Sequence, residues 1–369
     1  MSIEVAREVI ETLDQNLKDD DVGNPHFGDP SVKPFPLNSE GFRRIQPVKS
    51  PRKIACIDGG NQEVVGAPNF SIQVNRVYFG MWNGSTRILE KSLPRRVEFF
   101  SLTFSTFRNG EIYYDTRLFP PLSGEKRLLP DENDLSFSST DRTVTLGRQR
   151  ADIERVASIS RRFCELTLAK HVIENELSKD DAVVLDGTLQ TAFTNESKYL
   201  EELYLTAEEK GVIVTGLSKT SALFTDTGLS LLGAVDKLAS QKKIKVEWYY
   251  PIAESRSKDH NVVMLVVKLN SVSERIYRFE VQRDQFNSLS ELQLNEILTP
   301  FVKNSTDTTF PGYPYGLIDA DRFARVSYDE VEHYRAILLS QMASMGKWGK
   351  FSRHIKAGDA HSVLNMLIG

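Results

Sequence analysis

The chain has 369 residues, of which 40% are hydrophobic and 26% charged, so it can bury one large core or two modest ones without added cross-links. Its formal net charge of −4 argues against a protein that binds nucleic acid through overall charge alone. The two cysteines, Cys56 and Cys164, lie in apolar runs. Their spacing excludes a zinc knuckle and a disulfide framework and predicts two buried, reduced thiols.

The N-terminal segment has its own character. Apolar side chains from Ile3 to Leu17 recur at roughly helical spacing, which predicts an amphipathic helix over residues 1–20. This segment lacks the cationic start and apolar core of a signal peptide, and no run in the chain approaches the roughly 18 apolar residues of a membrane span. We therefore expect a soluble, cytoplasmic protein that does not enter a membrane.

A proline-rich stretch follows, from Pro25 to Pro51. It predicts a tether or wrapping arm rather than a packed element. Residues 1–52 are therefore expected to form an N-terminal helical arm, and residues 53–369 the main domain. A free helix this short is marginal in water, so we expect it to dock on this chain, on a second copy or on a partner.

The first half of the main domain is predicted to be rich in strands. KIACIDGG reads as a short apolar strand that ends in an acid and two glycines. Further strands are predicted in NFSIQVNRVYFGMW, RVEFFSLTF and GEIYYDTRLF. Residues 120–147 are polar and rich in turn residues, which predicts a long loop or insertion.

In the second half, helices alternate with strands. Apolar spacing predicts a long helix from Ala151 to Leu177, followed by a buried strand in AVVLDGTL. The next predictions are a helix in NESKYLEELYLTAEEKG, a strand in VIVTGLSK, a helix through LSLLGAVDKLA, strands in IKVEWYYPIA, NVVMLVVKL and RIYRFEV, and helices around LSELQLNEILTPFV and SYDEVEHYRAILLSQMA. This order is that of an RNase H-like fold, although pattern alone leaves several α/β or α+β layouts open. The predicted class is α/β, with an RNase H-like mixed sheet flanked by helices, insertions and an N-terminal helical arm.

Two aspartates follow apolar strands in the same way. Asp58 ends the strand in CIDGG, and Asp186 ends the strand in VVLDGTL. If the strands are neighbours, about 4.8 Å apart, both carboxylates project from one edge of the sheet and can share a hard divalent cation. Either aspartate alone is equally consistent with an acidic turn whose glycines adopt positive φ.

The long helix supplies further candidates. Glu165 precedes Asp186 and is a possible third oxygen ligand, although a lone glutamate on a helix is usually solvated. The densest basic run of the chain lies before it and consists of Arg148, Arg150, Arg155, Arg161 and Arg162. This run predicts a path for phosphates or, with equal weight, an exposed face of ion pairs.

Later segments carry weaker signals. Lys219 in GLSKTS suits a phosphate contact or an ordinary polar turn, and the spacing is not that of an ATP-binding loop. PGYPYGLIDADRFARVS brings Tyr313, Asp319 and Asp321 together; it predicts a site that orients a phosphate or stacks on a base, or else an aromatic turn. Asp359 and His361 lie near the C-terminus. No nucleophilic triad motif and no dinucleotide-binding motif is present, which favours an all-carboxylate, metal-assisted phosphodiesterase.

Taken in order, the segments IDGG, VVLDGTL, GLSKTS, GYPYGLIDADRFARVS and DAHSVL resemble those of the NurA nuclease family. The resemblance extends from about Lys53 to the C-terminus, and residues 120–147 match poorly. It implies an RNase H-like nuclease that depends on Mn²⁺ or Mg²⁺, with 5′-to-3′ exonuclease and single-strand endonuclease activity. It also implies a homodimer with a channel for DNA. The partner would be HerA, a hexameric ATPase that pumps DNA, and the two would resect DNA ends for double-strand break repair.

The same resemblance assigns roles to individual residues. Asp58 matches the first metal-binding aspartate of the family, Asp186 matches the aspartate of its second Asp-Gly motif, and Glu165 is the best match to the helical glutamate. Tyr313 matches the tyrosine of the Tyr-Pro segment. Asp321 stands where archaeal members have a histidine, which keeps a possible ligand but replaces nitrogen with oxygen and removes a proton carrier near neutral pH.

We therefore predict two-metal hydrolysis of DNA, with Asp58, Glu165, Asp186 and Asp321 as ligands and Tyr313 as a further catalytic residue. Lys219 and the arginine run would position the DNA strand. Whether His361 replaces the family histidine is left open. The alternatives are a non-catalytic ring adaptor of a DNA translocase on the same fold, or another RNase H-like phosphoryl-transfer enzyme such as a resolvase or an RNA-directed nuclease.

Overall fold

A computed structural model describes residues 2–17 and 21–355 of the chain. Its α-helices include α1 (Ile3–Asn16), α2 (Ile153–Ala157), α3 (Ile159–Asn175), α4 (Glu196–Lys210), α5 (Leu231–Gln241), α6 (Arg283–Ser288), α7 (Glu291–Asn304), α8 (Tyr315–Ala324) and α9 (Tyr328–Ser344), and residues 348–355 are helical as well. Its strands are β1 (Pro25–His26), β2 (Val32–Pro34), β3 (Arg43–Arg44), β4 (Ile54–Ala67), β5 (Phe70–Asn83), β6 (Thr86–Ile88), β7 (Arg96–Arg108), β8 (Glu111–Phe119), β9 (Ser136–Ser138), β10 (Ala182–Asp186), β11 (Ile213–Ser218), β12 (Phe224–Thr225), β13 (Trp248–Ser257), β14 (His260–Lys268) and β15 (Tyr277–Gln282).

The described residues form two compact units. Unit 1 takes its residues from Met1–Arg52, Asp186–Gln190 and Ile213–Tyr315, and unit 2 from Lys53–Leu185, Thr191–Val212 and Gly316–Gly369. None of the described helices is long and apolar enough to cross a bilayer. Both cysteines are buried and neither forms a disulfide, as predicted.

Unit 2 contains a mixed sheet in the order β10-β4-β5-β7-β8-β9, with β6 added alongside β5. Strands β4, β5 and β7 form an antiparallel meander. Helix α3 then leads to β10, which pairs parallel to β4 from Ala182↔Ile54 to Leu185↔Ile57. An RNase H-like fold begins in this way, with three antiparallel strands followed by a helix and a parallel strand, so the predicted fold class is confirmed. β10 is a short run that is apolar and buried from Ala182 to Leu185 and ends in Asp186.

Helices cover the sheet of unit 2 on both faces. Helix α3 buries an apolar stripe that includes Phe163, Leu166 and Ile173, and it packs on β4, β5 and α4. On other parts of the sheet, α9 packs against a cluster that contains Val64, Phe70 and Val74.

Unit 1 contains an antiparallel sheet in the order β2-β13-β14-β15-β11, and β3 also pairs with β13. A two-stranded ladder joins β1 to β12. The long strands β13 and β14 are apolar over most of their length, and Val263 to Val267 are each at most 2% exposed. Their burial accounts for the uninterrupted hydrophobic runs in the sequence.

Three predictions about elements were wrong. The strand in KIACIDGG does not end at Asp58, because β4 continues to Ala67 and pairs with β5 along its whole length. The single helix predicted from Ala151 to Leu177 is divided at Ser158 into α2 and α3. The proline-rich stretch is not an unpacked tether, because β2 and β3 pair with β13 and Phe42 packs edge-on against Trp248.

Two further segments differ from expectation. The C-terminal part of the Tyr-Pro segment forms helix α8, which the sequence did not predict. Residues 120–147 contain short 3-10 turns and β9, and Leu128, Leu135 and Phe137 within them are 1% exposed. This segment is therefore partly a packed element rather than a loop throughout.

Candidate metal centre

Two aspartates occupy matching positions on neighbouring strands. β10 runs parallel to β4 with Leu185 beside Ile57, so Asp58 and Asp186 are the next residues of the two strands. Paired residues of adjacent strands point to the same face of a sheet, and both aspartates are half-buried. Asp186 is the last residue of β10. The predicted adjacency of the two strands is therefore confirmed.

Helix α8 brings a third aspartate to this face of β4. Side chains alternate along a strand, so Asp58 and Gly60 point the same way. A methyl group on Gly60 would lie 2.5 Å from the carbonyl oxygen of Ala324, so glycine at this position lets α8 rest directly on the strand. Asp321, exposed on α8, joins the pair. One carboxylate oxygen from each of Asp58, Asp186 and Asp321 lies within 4.8 Å of the other two.

These three carboxylates form a donor set suited to a hard divalent cation. Grouped negative charges repel one another, and a cation relieves that repulsion. Within the part of the chain that the structure describes, this group contains neither histidine nor cysteine. Carboxylate oxygens are the ligands that Mg²⁺ and Mn²⁺ prefer. The residues present therefore fit the predicted metal ions.

Glu165 approaches β4 from the opposite face. A methyl group on Gly59 would collide with the Glu165 carboxylate, and Gly59 points away from the Asp58 side of the strand. Glu165 is 4% exposed. It pairs with Arg161 one turn away and with Arg162 Nη1 at 3.3 Å. Two guanidinium groups thus balance this buried charge, and a role for Glu165 as a metal ligand stays a prediction.

The predicted DNA-contacting arginines are placed along and before helices α2 and α3: Arg148, Arg150, Arg155, Arg161 and Arg162. The last two are ion-pair partners within unit 2, since Arg162 also pairs with Glu196 at 2.8 Å. Arg150 is exposed and donates to the Ser139 hydroxyl at 2.8 Å. Arg148 is exposed and Arg155 is half-buried. Their contact with DNA stays a prediction.

In unit 1, two side chains hold the carboxylate of Asp186. The Tyr313 hydroxyl donates to Asp186 Oδ1 at 3.1 Å, and Tyr313 is 0% exposed. Lys219 Nζ lies 2.7 Å from Asp186 Oδ2 and 5.5 Å from the centre of the Tyr313 ring. The structure therefore brings together three residues that the sequence named from three separate motifs.

A fully buried glutamate holds the loop that follows Asp186. Glu280, on β15, is 0% exposed and accepts the Leu189 N–H at 2.7 Å. His260 Nε2 lies 3.2 Å from each of its oxygens, and Arg278 pairs with it. Burial acts to raise the pKa of Glu280, but Arg278, His260 and the Leu189 N–H outweigh it and hold that pKa below its usual range. Sequence reasoning missed Glu280, although a charge inside an apolar strand was an available signal.

A second buried acid anchors α8. Asp319 is 5% exposed, lies 3.1 Å from Arg87 Nη1, and accepts the Tyr78 hydroxyl at 3.4 Å. Burial raises the pKa of Asp319, and Arg87 and Tyr78 offset this only in part. Tyr78 lies on β5 and pairs directly with Asp58 across the β4–β5 ladder, so this contact ties α8 to the residue beside Asp58. The role of Arg87 was not predicted.

Asp359 and His361 lie outside the described residues. The possibility that His361 replaces the family histidine therefore stays open.

Comparison with known proteins gives one specific result. A family model described as NurA domain matches residues 52–326, which is most of the chain. No curated protein matches.

Among solved structures, two Argonaute structures align with this chain at low similarity. One structure of Argonaute from Aquifex aeolicus aligns with 9% identity and a TM-score of 0.26, covering 74% of this chain and 28% of that one. A second aligns with 10% identity and a TM-score of 0.28, covering 75% and 29%. The chain thus spans less than a third of these proteins, and similarity at this level supports no statement about activity.

Proposed function

The chain belongs to the NurA family of nucleases, and from this premise we propose that it is a divalent-metal-dependent deoxyribonuclease that hydrolyses phosphodiester bonds. The observation that carries the proposal is the convergence of Asp58, Asp186 and Asp321, whose carboxylate oxygens lie within 4.8 Å of one another. Such clusters suit the charge distribution of phosphoryl transfer.

Asp58, Asp186 and Asp321 would hold Mn²⁺ or Mg²⁺. Glu165, which lies on the other face of β4, is a further candidate ligand from the family resemblance alone. When bound, such ions lower the pKa of an attacking water and stabilise the leaving oxygen. The aspartates differ in their surroundings. Asp58 belongs to a strand paired along its length, whereas Asp321 is exposed near the end of α8. We expect Asp58 to set the position of the site and Asp321 to complete it.

Tyr313 and Lys219 would prepare Asp186 for this role. The buried Tyr313 hydroxyl fixes the direction of the carboxylate, since its hydrogen bond reaches Oδ1 from a ring packed against Tyr277. Lys219 offsets the charge of Asp186, and its side chain is 41% exposed, which allows contact with a phosphate as well. Lysine is a common point-charge partner of phosphate.

The finer proposal is 5′-to-3′ exonuclease and single-strand endonuclease activity in the resection of DNA ends for double-strand break repair. The chain would act as a homodimer beside a HerA-type hexameric ATPase, in the cytoplasm, with DNA entering as single strands or duplex ends. Support for these points comes from the family resemblance.

Helix α1 is the proposed contact with that ATPase or with the second subunit. Its apolar residues are exposed in this chain: Ile3 is 83%, Ile10 64% and Leu13 59% exposed. Replacing Ile10 and Leu13 together with glutamate should weaken dimerisation or ATPase binding without lowering the unfolding temperature of the main body. Unchanged assembly, measured by light scattering and by co-purification with the ATPase, would contradict this role of α1.

The test of the nuclease uses 5′-labelled and 3′-labelled DNA, single-stranded and duplex, with Mn²⁺, Mg²⁺ or EDTA. Wild type should cut only with metal, and the label that is released first gives the polarity. Asp58→Ala should reduce the rate by more than about 100-fold, as expected for loss of a metal ligand. Asp329→Asn, which changes an exposed aspartate of α9, is the matched control and should cut like wild type.

Equal cleavage rates for wild type and Asp58→Ala would contradict the proposed metal site. If neither cuts, alone or with the ATPase, the function moves to the non-catalytic adaptor. That alternative is favoured by Asp321 standing where archaeal members have histidine and by the net charge of −4.

A further inference from the structure

The last turn of α8 presents an aromatic ring to solvent. Phe323 is 43% exposed, whereas Ala320 and Ala324 on the same helix are buried against Tyr78. The Phe323 ring stacks on the Tyr78 ring, with centroids 5.1 Å apart and an angle of 27° between the planes. We call Phe323 and the Tyr78 ring beneath it the aromatic platform.

The Tyr78 ring, on which Phe323 stacks, is held in place by its neighbours. Tyr78 is 3% exposed and sits in the middle of β5. Its hydroxyl accepts from Arg87 and donates to Asp319 at 3.4 Å, while Arg87 also lies 3.1 Å from Asp319. A ring fixed in this way loses little entropy when a flat ligand stacks on it, which distinguishes it from a freely rotating surface phenylalanine.

Positive groups surround the platform. Arg322 lies over the Phe323 ring, with its Cζ 5.9 Å from the centroid. Arg87 lies 3.1 Å from Asp319. Arg95 and Arg322 are close enough to oppose the rise in the pKa of Asp319, and Arg95 also pairs with Glu90. Exposed aromatic rings interleaved with arginines are the features that recognise unpaired nucleic-acid bases and the phosphates between them.

The platform also lies at a useful distance from the aspartates. Residues two apart on a helix point in nearly opposite directions, so Asp321 and Phe323 occupy opposite flanks of α8. A helix is about 10 Å across, which equals about three nucleotides at the 3.4 Å spacing of a stacked strand.

We propose that the aromatic platform stacks on one unpaired base of a nucleic-acid strand, about two or three nucleotides from the phosphate that the proposed metal centre would bind, with Arg322 and Arg95 near the neighbouring phosphates. This inference rests on the proposed nuclease function and adds a base-stacking contact, formed by Phe323, beside the proposed metal centre. A paired base inside a duplex has both faces covered and cannot stack on Phe323.

Binding without cleavage tests the platform first. Fluorescence anisotropy in EDTA compares a labelled single strand with a duplex of the same sequence. Phe323→Ala should weaken single-strand binding by about 5-fold to 150-fold, the range for loss of one stacked base, and should change duplex binding much less. Phe323→Trp should restore single-strand binding. The matched control is Phe107→Ala, since Phe107 is a 76% exposed phenylalanine on β7; it should bind like wild type.

An abasic scan then locates the contact. Single strands with one missing base, moved along the sequence, should bind wild type poorly at one position. Phe323→Ala should show no further loss at that position, because the stacking partner is already absent. A scan in which wild type and Phe323→Ala lose the same affinity at every position overturns the platform.

The outcomes separate this inference from the proposed function. If wild type cleaves DNA but Phe323→Ala binds single strands unchanged, the platform is wrong and the nuclease stands. If Phe323→Ala loses single-strand binding while wild type shows no cleavage, the platform stands and the nuclease fails. If Phe323→Ala shifts the oligomeric state in light scattering and leaves DNA binding intact, the surface is a protein interface, which also overturns the inference.

Discussion

Two buried carboxylates, in different regions of the molecule, each anchor a segment that lies next to one of the site aspartates. Their pKa values are shifted in opposite directions. Glu280 in unit 1 holds the loop after Asp186, and Asp319 in unit 2 holds the helix that carries Asp321. Both are at most 5% exposed. The pKa of Glu280 lies below its usual range, whereas that of Asp319 lies above it.

The difference comes from the donors that each carboxylate has. Glu280 combines an arginine, a histidine and a backbone N–H, which together outweigh the cost of burial. Asp319 has Arg87 and a long hydrogen bond from Tyr78, which do not. The number and charge of the hydrogen-bond donors therefore decide how strongly a buried acid is held. By this measure Glu280 is the firm anchor and Asp319 is the weak anchor.

The largest expected effect follows removal of the firm anchor. Glu280→Ala leaves Arg278 and His260 buried without their partner, which should cost about 3–5 kcal/mol of unfolding free energy. Asp319→Ala should cost less, about 1–3 kcal/mol, because Arg87 is 29% exposed and can turn towards water. Urea unfolding at neutral pH measures both. Equal losses of unfolding free energy in the two variants would contradict the difference between Glu280 and Asp319.

An intermediate effect is expected from Gly60→Ala. This substitution tests the packing of α8, the helix that Asp319 anchors, against β4. The added methyl group would lie 2.5 Å from the Ala324 carbonyl oxygen, so α8 must move away from β4. Displacement of Asp321 by about 1 Å should lower the cleavage rate by roughly 100-fold. The control is Gly124→Ala, where a methyl group meets nothing within 4 Å. Normal cleavage by Gly60→Ala would mean that α8 need not rest on the strand.

The smallest effect concerns pH. Because the folded-state pKa of Glu280 is lowered, its stabilisation is complete above its unfolded value of about 4.3 and disappears as pH falls through the folded value. Glu280→Gln lacks this contribution. The difference in unfolding free energy between wild type and Glu280→Gln should therefore be largest near pH 6 and narrow towards pH 3. A difference that stays constant over this range would contradict the assigned charge of Glu280.

The sequence predicted the adjacency of the strands that carry Asp58 and Asp186 better than it predicted the extent of the elements around them. Asp58 and Asp186 were found because each follows an apolar run, and a parallel pair of such runs aligns their ends. β4 was cut short because Gly59 and Gly60 read as a turn. Their actual role is to admit Glu165 from one face and α8 from the other, which depends on contacts between distant segments.

Other parts could not be predicted for related reasons. Helix α8 was missed because its segment follows Pro311 and Pro314 and reads as an aromatic turn, whereas burial against Tyr78 stabilises it as a helix. Glu280 lies in an apolar strand, and the sequence pattern of that strand does not show which charged residues pair with it. Its partners Leu189 and His260 come from segments 91 and 20 residues away, so only the fold brings them together.

Titration with Mn²⁺ tests the central claim most directly, because it measures the metal centre without cleavage. Calorimetry and Mn²⁺ electron paramagnetic resonance should show binding by wild type and at least about 10-fold weaker binding by each of Asp58→Asn, Asp186→Asn and Asp321→Asn, with Asp329→Asn as control. The account predicts that all three aspartates matter. Wild-type affinity in Asp321→Asn, or in all three variants, would contradict a metal centre formed by these carboxylates.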